Sequence, residues 1–160
     1  MSERIETLKA MANTVFTRFD NAVKDLNDKE IDWRPVIEAN NIRWILTHVS
    51  QQWNLNPQRS KRADYSYKPE GWPDDYIGNT SYTLKKIMDD LARGKAGVMG
   101  VLAGFQPKDL DVEITTPRGA RKRADLFMSL LSEAAHHEGQ IAYIRGAIGR
   151  IRQKDPKFLT

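Results

Sequence analysis

LFMSLLSEAAHHEGQIAYIRGAI, residues 126–148, carries Leu126, Leu130, Glu133, His137, Ile141, Ile144 and Ile148 at steps of three or four. That is the period of one face of an α-helix, so a helix is expected over about 121–152, packed through this stripe. Glu133 and His137 interrupt the stripe where apolar residues would be expected, on the face directed at the core. An unpaired carboxylate is costly to bury, so the pair calls for a partner. Residues four apart on a helix have Cβ atoms about 5–6 Å apart, close enough for both side chains to reach one ion.

The same period extends to the rest of the chain. Ile5, Leu8, Ala12, Val15, Phe19, Val23 and Leu26 predict a first helix over about 2–26. Asn27 to Glu30 is polar, and Trp33-Arg34-Pro35 stops any continuing helix, which makes this part a connector. Asn40-Asn41 supplies N-cap residues for a second helix over about 40–56, on which Trp44, Ile45, His48, Gln52 and Leu55 share a face, ending before Pro57. Thr80 or Ser81 is expected to cap a third helix over about 80–105. Gly94, Gly97, Gly100 and Gly104 weaken that helix by up to about 1 kcal/mol each relative to alanine, which predicts either a break near Gly94 or a close helix approach.

Between these helices, 59–79 holds Pro69, Gly71, Pro73 and Gly78 among tyrosines and Trp72, and reads as a long ordered connection packed over one end. Val112 to Thr115 alternates ahead of Pro117-Arg118-Gly119, a short strand or hairpin. Four long helices without a sustained strand pattern predict an all-α fold, a four-helix bundle forming one domain over 1–160.

Composition narrows the chemistry. There is no cysteine, so disulfides, thiolate ligands and a cysteine nucleophile are excluded, and imidazole and carboxylate remain as metal ligands. A charged start and the lack of any long apolar run predict a soluble, cytoplasmic protein with no secretion signal and no membrane partner. Phosphate-loop, dinucleotide-binding and nucleophile-elbow signatures are absent. The net charge of +4 is uneven, −1 over 1–117 and +5 over 118–160. Such basic residues either form a phosphate-binding patch or complement the dipole of the last helix and aid solubility.

The chain has three histidines, His48, His136 and His137. His48 can reach Glu133 and His137 from a neighbouring helix. Two neutral imidazoles and one carboxylate would leave a coordination position open to water or substrate, as catalytic zinc and some iron or nickel sites do. The competing reading pairs Glu133 with an arginine or with His48 and makes His137 a hydrogen-bonded core histidine. His136 falls on the flank with Ser132, Gln140 and Tyr143, either exposed or supporting the site; Gln140 and Tyr143 are candidate pocket donors. Glu133-Ala134-Ala135-His136 also matches the Glu-x-x-His of di-iron bundles, but Ile45 stands three residues before His48, so the second copy is missing.

Trp33-Arg34-Pro35, the run Asn40 to His48, and His136-His137-Glu138-Gly139-Gln140-Ile141 together resemble the DinB-like superfamily over nearly the whole chain. The resemblance implies an up-down-down-up four-helix bundle, often a homodimer, with a divalent metal held by three histidines on the second and last helices. Carried onto this chain, His48 and His137 match two ligands, and Glu133 stands where the family usually has the third histidine. Relatives include thiol S-transferases using bacillithiol, mycothiol or glutathione, and mycothiol-dependent maleylpyruvate isomerases. The implied function is a divalent-metal-dependent transferase or hydrolase, with zinc or nickel and a low-molecular-weight thiol as cofactors and a small-molecule substrate. The alternative is a noncatalytic binding or scaffold protein with a degenerate or structural metal site. A specific nucleic-acid-binding module is disfavoured: the basic clusters Arg118 to Arg123 and Arg150 to Lys157 flank a helix some 40 Å long and lack interleaved aromatics.

Overall fold

Helix α1 (Glu3–Val23) buries the expected stripe of Ile5, Leu8, Ala12, Val15, Phe19 and Val23, and Phe16 beside it. The protein is seen in a computed structural model that describes residues 3–160; the expected helix start at Ser2 lies outside the described residues. The helix stops before Leu26, and Asp25 takes a left-handed conformation (φ 58°) that cannot continue it. A short helix α2 (Asp28–Asp32) follows that the hydrophobic period does not reveal; Asn27 nucleates it by accepting hydrogen bonds from the amides of Lys29 and Glu30.

Asn41 caps α3 (Ile42–Arg62) by accepting from the Trp44 amide. This helix runs on through Pro57 instead of ending before it. The missing proline amide leaves free the carbonyl of Trp53, one turn back, but Trp53 is fully buried and its backbone lies against α4 (Leu84–Ala103), so tertiary packing overrides the local preference. A Cβ built on Gly94 would sit 2.7 Å from Trp53 Cβ. Gly94 therefore permits close approach, and α4 is unbroken. Its N-cap is Thr83, which accepts from the Lys86 amide, rather than Thr80 or Ser81. After a 3-10 turn at Pro107–Asp111 comes the expected hairpin, β1 (Glu113–Thr116) antiparallel to β2 (Gly119–Lys122), leading directly into α5 (Arg123–Arg152).

Residue pairs give the sense of each helix. Arg18 meets Glu138 at 2.7 Å and Arg145 donates to the Ala22 carbonyl at 2.9 Å, so α1 and α5 run the same way. Arg43 donates to the Tyr82 carbonyl and Asn54 to that of Asp90, so α3 and α4 also run parallel. Arg123 donates to Ser60 O near the end of α3, whereas His137 meets His48 near its start, so α3 opposes α5. This is the order that the family resemblance implies.

Parallel neighbours cannot be joined by a tight turn. The connection between α3 and α4 must return along their length, and it does: Arg59 donates to Tyr67 O, the Tyr76 hydroxyl lies between Ser50 and Asp90, and the Gly78 amide donates to Thr47 Oγ1 at 2.8 Å. It is thus laid along the bundle rather than over one end. Phe16 and Phe19 pack edge-on against Trp53 in a core contributed by all four long helices. No described helix is long and apolar enough to cross a membrane.

Candidate metal centre

The antiparallel packing of α3 and α5 brings His48 opposite Glu133 and His137. One donor atom from each lies within 4.8 Å of the others. Glu133 Oε1 is 3.5 Å from His48 Nε2 and 3.2 Å from His137 Nε2. The sequence expectation places Glu133 on the buried face, and here the structure differs: its side chain is about half exposed. The buried line of α5 runs through Phe127, Leu130, Leu131, Ala134, His137 and Ile141, so Ala134 takes the core position and Glu133 the rim beside it. Leu126 is likewise only half-buried. At the rim a carboxylate keeps part of its hydration and is not an isolated buried charge.

Gln140 fixes the proton on His137. Its Oε1 lies 2.7 Å from His137 Nδ1, and an amide oxygen only accepts, so Nδ1 carries the hydrogen. The Gln140 amide nitrogen in turn donates to Nε2 of the exposed His136, 3.0 Å away. In the neutral ring this leaves the lone pair on Nε2, a buried nitrogen that makes no hydrogen bond. The Glu133 oxygen is close but outside hydrogen-bonding geometry. A nitrogen and a carboxylate oxygen that both ligate cations thus lie side by side without bonding to each other, an arrangement that a shared cation would stabilise.

His48 is pushed below the usual histidine range near 6.5 by burial and then by His137, against the upward pull of Glu133. Its imidazole is neutral at physiological pH, the form that ligates metals. Trp44, one turn earlier on α3, stacks on the His48 ring (centroids 4.9 Å apart, planes 8° apart) and presents an edge toward His137. Gly78 backs Trp44: it has φ +72°, and a Cβ there would lie 3.1 Å from Trp44 Cδ1. Neither residue stands out in the sequence as part of a site, although the i, i+4 spacing of Trp44 and His48 is a signal for the stacking.

Tyr143 is not brought to these donors. It is two-thirds exposed and lines a separate groove with His136 and Gln140. From the 59–79 segment, Tyr65 lines a cleft between α3 and α5 whose lining also includes Glu133.

A family model described as the DinB superfamily matches residues 12–141. Among solved structures, a DinB-like protein from Bacillus subtilis is similar with a TM-score of 0.62 and 12% identity, covering 91% of this chain and 92% of its own. A conserved protein from Enterococcus faecalis is similar with a TM-score of 0.65 and 16% identity, covering 91% and 96% respectively. At these identities the likeness speaks for the fold. None of the curated proteins is matched in sequence.

Proposed function

The chain belongs to the DinB superfamily, and on that premise we propose that it is a divalent-metal-dependent transferase or hydrolase acting on a small molecule, with zinc or nickel held by His48, Glu133 and His137. The observation that carries this reading is His137 Nε2, buried, without a hydrogen bond and 3.2 Å from a carboxylate oxygen. The donor set fits such an ion: two imidazoles from two helices and one carboxylate that offsets part of the charge. Bound there with a coordination position open, the ion would supply Lewis acidity, lowering the pKa of a thiol or water so that a nucleophile forms near neutral pH.

The protein's own groups do the remaining work. Gln140 holds the tautomer of His137, and Trp44 holds the plane of His48. Glu133, half exposed, belongs both to the donor set and to the lining of the cleft, so a substrate held in the cleft would lie beside the site. The test is turnover of a panel of electrophiles with several low-molecular-weight thiols, using metal-stripped protein, protein reloaded with zinc or nickel, and His48→Ala. Turnover that needs both metal and His48 is expected. A protein that binds metal tightly yet turns over none of the panel would favour the noncatalytic alternative.

A further inference from the structure

The cleft whose lining includes Glu133 follows α3 and α5 away from the histidines, past Gln52 and Asn56, toward the hairpin. Its volume is about 130 Å³, room for roughly four waters or one small polar group. Arg118 and Arg121, from the hairpin, line its far part, and Glu133 is the one carboxylate in its lining. Arg121 is already aimed: its guanidinium donates to Ser129 Oγ at 2.7 Å and to the Asp125 carbonyl at 3.2 Å. Ser129 precedes Glu133 by one helical turn, so this guanidinium sits about 6 Å along α5 from the position of the carboxylate. The Arg118 guanidinium has no hydrogen bond or ion pair among the described residues; only its backbone amide is engaged, with Thr116. Ser60, at the same end, has a buried hydroxyl without a partner. A positive, partly unsatisfied pocket thus adjoins the donor set.

From this we propose that the cleft is a carboxylate-binding subsite, in which Arg118 and Arg121 hold the anionic end of a small organic acid whose other end reaches the metal centre. The inference rests on the metal reading only for what lies at that other end. The planar fork of arginine matches a carboxylate with two parallel hydrogen bonds, and a neutral amide cannot reproduce that pairing. The subsite would therefore select substrates by their charge and by the separation of about one helical turn between acid and reacting atom.

The test is calorimetric titration of the zinc-loaded full chain with glutarate and with its neutral diamide, in wild type, Arg118→Gln and Arg121→Gln, with zinc content measured on every sample. Arg118 is the cleaner probe, because its side chain makes no hydrogen bond or ion pair among the described residues. Wild type should prefer glutarate by roughly tenfold or more, and Arg118→Gln should lose most of that preference while keeping its zinc, with Arg118→Lys recovering part of it. Equal affinity for the diamide, no binding of glutarate by wild type, or a preference untouched in both glutamine variants would overturn the proposal. If wild type holds no zinc but still shows the arginine-dependent preference, the subsite stands and the metal reading is the one that fails.

Discussion

Gln140 determines which nitrogen of His137 is available, because an acceptor on Nδ1 selects the neutral tautomer whose lone pair is on Nε2. Replacing it with leucine removes that control, and the expected result is a loss of about 10–100-fold in metal affinity with the fold retained, read by competition with a chromophoric chelator. An unchanged affinity would show that the hydrogen bond does not prepare the ligand. His48 supplies a test in pH. Its folded pKa lies below its unfolded value near 6.5, so the unfolded chain takes the proton first, and stability of the metal-free protein should decline as pH falls below about 6.5. Urea denaturation at pH 7.5 and 5.5 should show this decline in wild type and a smaller one in His48→Gln; equal declines would contradict it. At this scale the sequence was informative because His48, Glu133 and His137 stand at helical spacings on two helices. It was less so for depth: a three-or-four step admits either Glu133 or Ala134 to the core, and packing chose Ala134.

The two glycines of α4 that differ most are Gly94 and Gly100. An added Cβ at Gly94 meets Trp53 Cβ at 2.7 Å and Asn54 Nδ2 at 3.0 Å, whereas at Gly100 it meets nothing within 4 Å. Gly94→Ala should destabilise by about 1–3 kcal/mol through overpacking, and Gly100→Ala should stabilise by up to about 1 kcal/mol through helix propensity. Denaturant midpoints of the two variants check the pair; the same sign for both would contradict the close approach. Gly78→Ala tests how the connection supports the site, since the new methyl group is strained by φ +72° and presses on the Trp44 ring that stacks on His48. It should lower metal affinity as well as stability, whereas a loss of stability alone would separate Trp44 from the site. The elements themselves were legible from periodicity and caps such as Asn41. The passage of α3 through Pro57 and the path of the connection were not, because both are set by the parallel partner α4, which no local pattern reveals.

The charge of the whole molecule is spread differently from what the composition suggests. Arg123 is buried and donates to the carbonyls of Ser60 and Asp109, while Arg152 and Arg145 gather around the buried Glu30. These cations hold the ends of the bundle together and leave less charge for a phosphate backbone. Any attraction to DNA should accordingly be weak and should vanish between about 50 and 200 mM salt, and sequence-selective binding at the higher salt would contradict this reading. The central claim concerns the bundle as a scaffold that brings three donors together from two helices. Elemental analysis of untagged protein, wild type beside His48→Ala and His137→Ala, tests it most directly: the account predicts close to one divalent ion per chain in wild type and a substantial loss in both variants, and equal metal content in all three would contradict it.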